Sequence, residues 1–154
     1  MNDWLGRAAP DLDAIENLAR ATLADLPAPF AEPARSVLIR TADFAPEELL
    51  DDMGIEDPFE LTGLYDGVPM TEKSVMDMMD RPDTIWLFRR PILDEWSERG
   101  DVTLGQLVAH VLVHELAHHF GWSDAQIAEI DRCWESAPCA CRRDVPKMTK
   151  GRAE

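Results

Sequence analysis

Residues 103–121, TLGQLVAHVLVHELAHHFG, constrain this chain most, because both ends of a helix are written out in them. Thr103 and Gln106 stand in capping-box spacing, so each side chain satisfies a backbone amide of the first turn. Val102 and Leu107 supply the matching hydrophobic staple. Gly121 closes the run as a natural C′ residue, since glycine enters the left-handed region without a Cβ penalty. A second capping box, Ser123 with Gln126, and a second staple, Trp122 with Ile127, start a further helix that runs to about Cys133. The chain is therefore expected to reverse at Gly121, with Asp124 in the first turn of the next helix.

Around this segment the pattern mixes helices and short strands. Asp13 and Glu16 have capping-box spacing, and Ile15, Leu18, Ala19, Leu23 and Leu26 recur with helical period. They predict a first helix ended by Pro27 and Pro29. Residues 36–40, SVLIR, read as a short strand. A turn of helix is expected at 46–52, then a loop through Gly54 and Pro58. Residues 61–70, LTGLYDGVPM, read either as an irregular edge strand or as a loop over a cleft. Residues 84–89, TIWLFR, form the clearest strand, closed by Pro91, and 92–99 a short helix ending at Gly100. There is no internal repeat or linker, so residues 1–141 are expected to form a single domain. The basic segment 142–154 lacks apolar periodicity and reads as a frayed tail.

Charge and cysteine usage exclude several function classes. Fifteen basic against thirty acidic residues leave a net charge of −15, a field that repels phosphate backbones and argues against nucleic acid as a partner. No stretch approaches the roughly 20 apolar residues of a membrane span. The N-terminus, MNDWLGRAAPDLD, has neither a basic nor an apolar signal region, so the expected location is cytoplasmic. Residues 41–72 contain acids but no Lys or Arg, which reads first as a solvated surface. The functional reading is a negative field that attracts metal cations and basic substrate segments. Cys133, Cys139 and Cys141 are odd in number and match no zinc module, so free thiols are expected.

The chemistry lies in His114-Glu115-Leu116-Ala117-His118, an H-E-x-x-H sequence on the helix. At about 100° per residue, positions i and i+4 differ by about 40°, so both imidazoles project from one face and can hold one zinc ion. Glu115 sits beside them, placed to reach a water without ligating the metal. Catalytic zinc usually takes three protein ligands and keeps one open position. The chain continues as H-E-x-x-H-x-x-G-x-x-D, so Gly121 reverses the backbone and Asp124 becomes the candidate third ligand. Glu129, on the same second helix, is the reserve.

This segment resembles the extended motif of zincin metallopeptidases, above all the short bacterial zincin-like metallopeptidase family of minimal one-domain proteins. The similarity extends to G-L-Y-D-G-V-P at 63–69 and P-D-T-I-W-L-F-R-R-P-I-L at 82–93, and covers most of residues 61–130. The resemblance implies an α+β fold with a small β-sheet packed against the active-site helix and a C-terminal helix. It also implies His114 and His118 as zinc ligands, Asp124 as the third and Glu115 as catalytic base. The larger metzincins carry histidine where Asp124 stands, followed by a methionine turn, whereas the only later methionine here is Met148 in the tail.

The implied activity is hydrolysis of a peptide or protein substrate with Zn2+ as cofactor. The alternative is a metal-binding or regulatory module that keeps the fold with little or no turnover. Among the other candidates, His110 reads as a satisfied helix histidine ahead of a substrate or supporting role. His119, four residues after Glu115, either orients it or simply pairs on the helix. Tyr65 reads as packing with its hydroxyl at the surface, ahead of oxyanion donation. Met76, Met78 and Met79 read as core filling.

Overall fold

The computed structural model describes residues 5–26, 31–32, 34–67 and 82–121. Helix α1 spans Leu12–Ala24, strand β1 Leu38–Ala42, helix α2 Glu47–Met53 and strand β2 Gly63–Asp66. Strand β3, Thr84–Phe88, leads directly into helix α3, Arg89–Arg99, and helix α4 covers Leu104–Phe120. This is the α+β arrangement expected of the chain.

Among the described residues the sheet has three strands in the order β1-β3-β2. β1 runs parallel to β3 with Leu38 opposite Thr84, and β2 runs antiparallel to it with Tyr65 opposite Ile85. β3 is central because its residues are apolar on both faces. Ile85 and Leu87 join the core with Ile15 and Ala19 of α1 and Val108, Val111, Leu112 and Leu116 of α4. Trp86 and Phe88, stacked with centroids 6.4 Å apart, point to a second cluster with Leu50, Leu61 and Leu64. That alternation is the period of two that a strand imposes on its side chains. Each large side chain removed from water in this way contributes roughly 1.5–3 kcal/mol.

Local signals explain most boundaries, and several differ from the sequence expectation. The N-cap of α1 is Asp11, whose carboxylate accepts the Ala14 amide at 2.8 Å, two residues ahead of the expected Asp13. Asp13 lies instead in the first turn, where its charge meets the positive end of the helix dipole. Glu16 turns away to pair with Arg20 at 2.7 Å. β1 begins at Leu38 rather than 36, because its register is set where the Leu38 amide donates to the Asp83 carbonyl. α3 starts at Arg89, three residues earlier than expected, so Pro91 does not close β3 but sits in the first helical turn, where no amide is needed. Gly100 ends α3 at φ 74°, and the Trp96 indole donates to the Val102 carbonyl at 2.8 Å.

Helix α4 follows its punctuation closely. Gln106 N–H donates to Thr103 Oγ1 at 3.1 Å, and Thr103 N–H donates to Gln106 Oε1 at 2.9 Å. Gly121 ends the helix with φ 71°. Most of α4 is buried, including His110, His114, Glu115 and His119. It packs across α1 on one side and across β2 and β3 on the other. No described helix is long and apolar enough to cross a membrane. Pro27, Pro29, the Met76–Met79 region, the second capping box, Asp124, Glu129 and the three cysteines lie outside the described residues.

Candidate active site

The site grows from one turn of α4. His114 and His118 sit side by side, ring centroids 5.8 Å apart and planes at 64°, as i,i+4 spacing dictates. His110 extends the row one turn earlier, its ring 6.4 Å from that of His114. Burial pushes His114 down to about 3, aided by His118 and His110, since a buried imidazolium has lost its hydration. Burial, with the nearby Arg99 guanidinium, pushes His110 down to about 4. Both rings are thus neutral at neutral pH, the state in which an imidazole nitrogen offers a lone pair to a metal.

Glu115 is only 1% exposed. Its Oε2 accepts the backbone N–H of Tyr65 at 3.0 Å, and among the described residues its Oε1 has no hydrogen-bond partner. Burial pushes this carboxyl up to about 8, outweighing the Tyr65 amide, which favours the ionised form. A carboxylate this deep is costly unless a cation lies near it. β2 reaches Glu115 because Gly63 lacks a side chain: a Cβ there would stand 2.7 Å from Val111 Cγ1 and 3.4 Å from Glu115 Cγ. Only glycine lets the strand backbone press this closely on the helix.

Behind this face lies a polar cluster that sequence reasoning only half found. His119 Nδ1 lies 2.8 Å from Asp83 Oδ2 and 3.4 Å from the Tyr65 hydroxyl. The Tyr65 and His119 rings meet edge-on at 5.8 Å. Both partners of this contact are almost fully buried. A Cβ at Gly67 would collide with the Asp83 carboxyl and stand 2.8 Å from the Tyr65 hydroxyl, so this glycine makes room for the cluster. Tyr65 packs in the core as expected, but its hydroxyl is buried beside His119 instead of lying at the surface, and His119 faces this cluster rather than the row of His114 and His118. Asp83 was the omission. Its one sequence signal is an acid placed directly before the strand TIWLF.

The donor set fits a zinc ion in kind: the buried His114 imidazole and the half-buried His118 imidazole stand one turn apart beside Glu115, whose Oε1 has no hydrogen-bond partner among the described residues. Among the described residues no group of three His, Cys, Asp or Glu gathers around one point. The expected third ligand, Asp124, and its reserve, Glu129, lie outside them.

A family model described as zincin-like metallopeptidase matches residues 34–134, about two thirds of the chain. The match spans both β1 and the whole of α4. No curated protein matches the chain.

Proposed function

The chain belongs to the zincin-like metallopeptidase family, and from that premise we propose that it is a zinc-dependent peptidase with its site on α4. The observation that carries the proposal is the pair of adjacent imidazoles beside a buried carboxyl whose Oε1 has no hydrogen-bond partner among the described residues. His114 and His118 would hold the metal, and Asp124 would complete the set. When bound, zinc supplies Lewis acidity there, acidifying water and polarising a peptide carbonyl.

The chain's own residues supply the proton handling. Glu115 Oε1 takes the proton of the attacking water, and the carboxyl then delivers it to the leaving amine. Burial raises the proton affinity of this carboxylate, which strengthens it as a base. The Tyr65 amide holds Oε2, so the carboxylate has one committed oxygen and one working oxygen. Neutral His114 keeps its lone pair available for the metal. The substrate would be a peptide or protein, and the acidic stretch at 43–72 would favour basic segments.

The second reading, a metal-binding module with weak turnover, draws on the burial of His114, only 7% exposed, and of Glu115. Two measurements separate them. Elemental analysis of full-length protein purified without chelators should find about one zinc per chain, lost in His118→Ala. Peptide hydrolysis by the zinc-loaded chain should fall roughly 10²–10⁴-fold in Glu115→Gln with the metal retained. Wild type without metal after zinc is added back overturns both readings. Zinc retained without any peptide hydrolysis leaves the binding module.

A further inference from the structure

We propose that Asp83 is a positioning residue for Glu115, acting through His119 and Tyr65 to hold β2 against the turn of α4 that carries the carboxylate. This rests on Glu115 being the base proposed above.

Tyr65 touches the helix twice, one turn apart. Its amide donates to Glu115 Oε2 at 3.0 Å, and its hydroxyl lies 3.4 Å from Nδ1 of His119, four residues on. The strand segment therefore spans the same turn as the base. Among the described residues β2 pairs with β3 on one side only. These two contacts and the close approach at Gly63 help to fix its place on the helix.

Asp83 anchors the second contact. Its carbonyl accepts the Leu38 amide at 2.9 Å, which ties its backbone to the start of β1 and β3. Its carboxylate lies 2.8 Å from His119 Nδ1 at the far end of α4. A carboxylate beside Nδ1 selects the tautomer with the proton on that nitrogen and fixes the ring plane. The edge of that fixed ring sets the Tyr65 ring, and the Tyr65 backbone sets which oxygen of Glu115 is committed. Gly67 keeps the space into which the Asp83 carboxyl and the Tyr65 hydroxyl converge. Three chain segments, the ends of β2 and α4 and the residue before β3, thus meet at one buried polar contact with a line of contacts to the base. Losing it frees Glu115 to swing by a fraction of an ångström, and misplacement on the scale of 1 Å costs about 100-fold in rate.

The test is Asp83→Asn in the full chain, with Tyr65→Phe as the second variant and Glu115→Gln as the reference for a lost acceptor. The first readout is the amide of Tyr65 by 15N-resolved hydrogen exchange, in metal-free and zinc-loaded protein. Asp83→Asn should accelerate its exchange about tenfold or more and shift its resonance toward that in Glu115→Gln. Tyr65→Phe should act in the same direction to a smaller extent. The second readout is kinetic: kcat should fall roughly 10–100-fold with KM and zinc stoichiometry unchanged. A Tyr65 amide and kcat as in wild type overturn the proposal. If Asp83→Asn does not fold, Tyr65→Phe decides alone, and an unchanged amide in that variant overturns it. If the wild type binds no zinc or cleaves no peptide, the amide readout still decides the clamp, so failure of the function and failure of the positioning are separately visible.

Discussion

His118 and His119 are neighbours in sequence, yet they belong to two different regions of α4. A step of about 100° puts His118 in the row with His114, while His119 turns to β2 and the residue before β3. In the row, burial and the company of other imidazoles hold His114 neutral. On the other flank, a buried carboxylate lies 2.8 Å from the ring. Identical side chains thus become a metal-ligand candidate and a structural bracket, and the difference comes from what each flank packs against. A histidine's chemistry is a property of the facing surface more than of the helix that carries it.

The largest expected effect breaks that comparison directly. His118→Ala should abolish stoichiometric zinc, whereas His119→Ala should keep about one zinc per chain while lowering thermal stability, both read by elemental analysis and thermal melts. Equal metal loss in the two variants would erase the distinction between the flanks. Next in size is Gly63→Ala. The new methyl meets Val111 Cγ1 at 2.7 Å, and should cost about 1–3 kcal/mol in chemical denaturation while raising exchange at the Tyr65 amide.

Removing the metal sharpens the comparison through pH. His110 and His114 fall from 6.5 to about 4 and about 3, so the unfolded chain binds more protons there as the pH drops below 6.5, and folding weakens toward acid. Glu115 rises from 4.5 to about 8, so the folded chain binds the extra proton, and folding weakens as the pH climbs toward 8. Summed over these three groups, metal-free protein should be most stable at about pH 6.5. Urea titrations across pH should show Glu115→Gln losing the alkaline decline while keeping the acid one. The smallest effect is at the far end of the helix: Thr103→Ala removes the cap bond to Gln106 and should cost about 1 kcal/mol, with zinc content unchanged.

Much of α4 was legible before any coordinates. Its capping box, its glycine stop and the i,i+4 pair of histidines are local features, resolved within a few residues of chain. The α+β class was legible from the strand TIWLF and the apolar helices, and the strand reading of 61–70 holds over Gly63–Asp66. Boundaries drifted where two local signals competed, as with Asp11 against Asp13, or where pairing decided, as with β1 against β3. The bracket was not legible in full, because Tyr65 and His119 are 54 residues apart and Asp83 belongs to neither segment.

The sequence by itself determined the helix, its ends and the histidine row, because hydrogen bonds and side-chain period within a few turns settle them. Tertiary structure alone decided that β2 presses on that helix through Gly63, that its amide takes one oxygen of Glu115, and that Asp83 meets His119. Those outcomes depend on the burial of polar groups far apart in the chain, where desolvation sets the energy and only the packed fold supplies the partner.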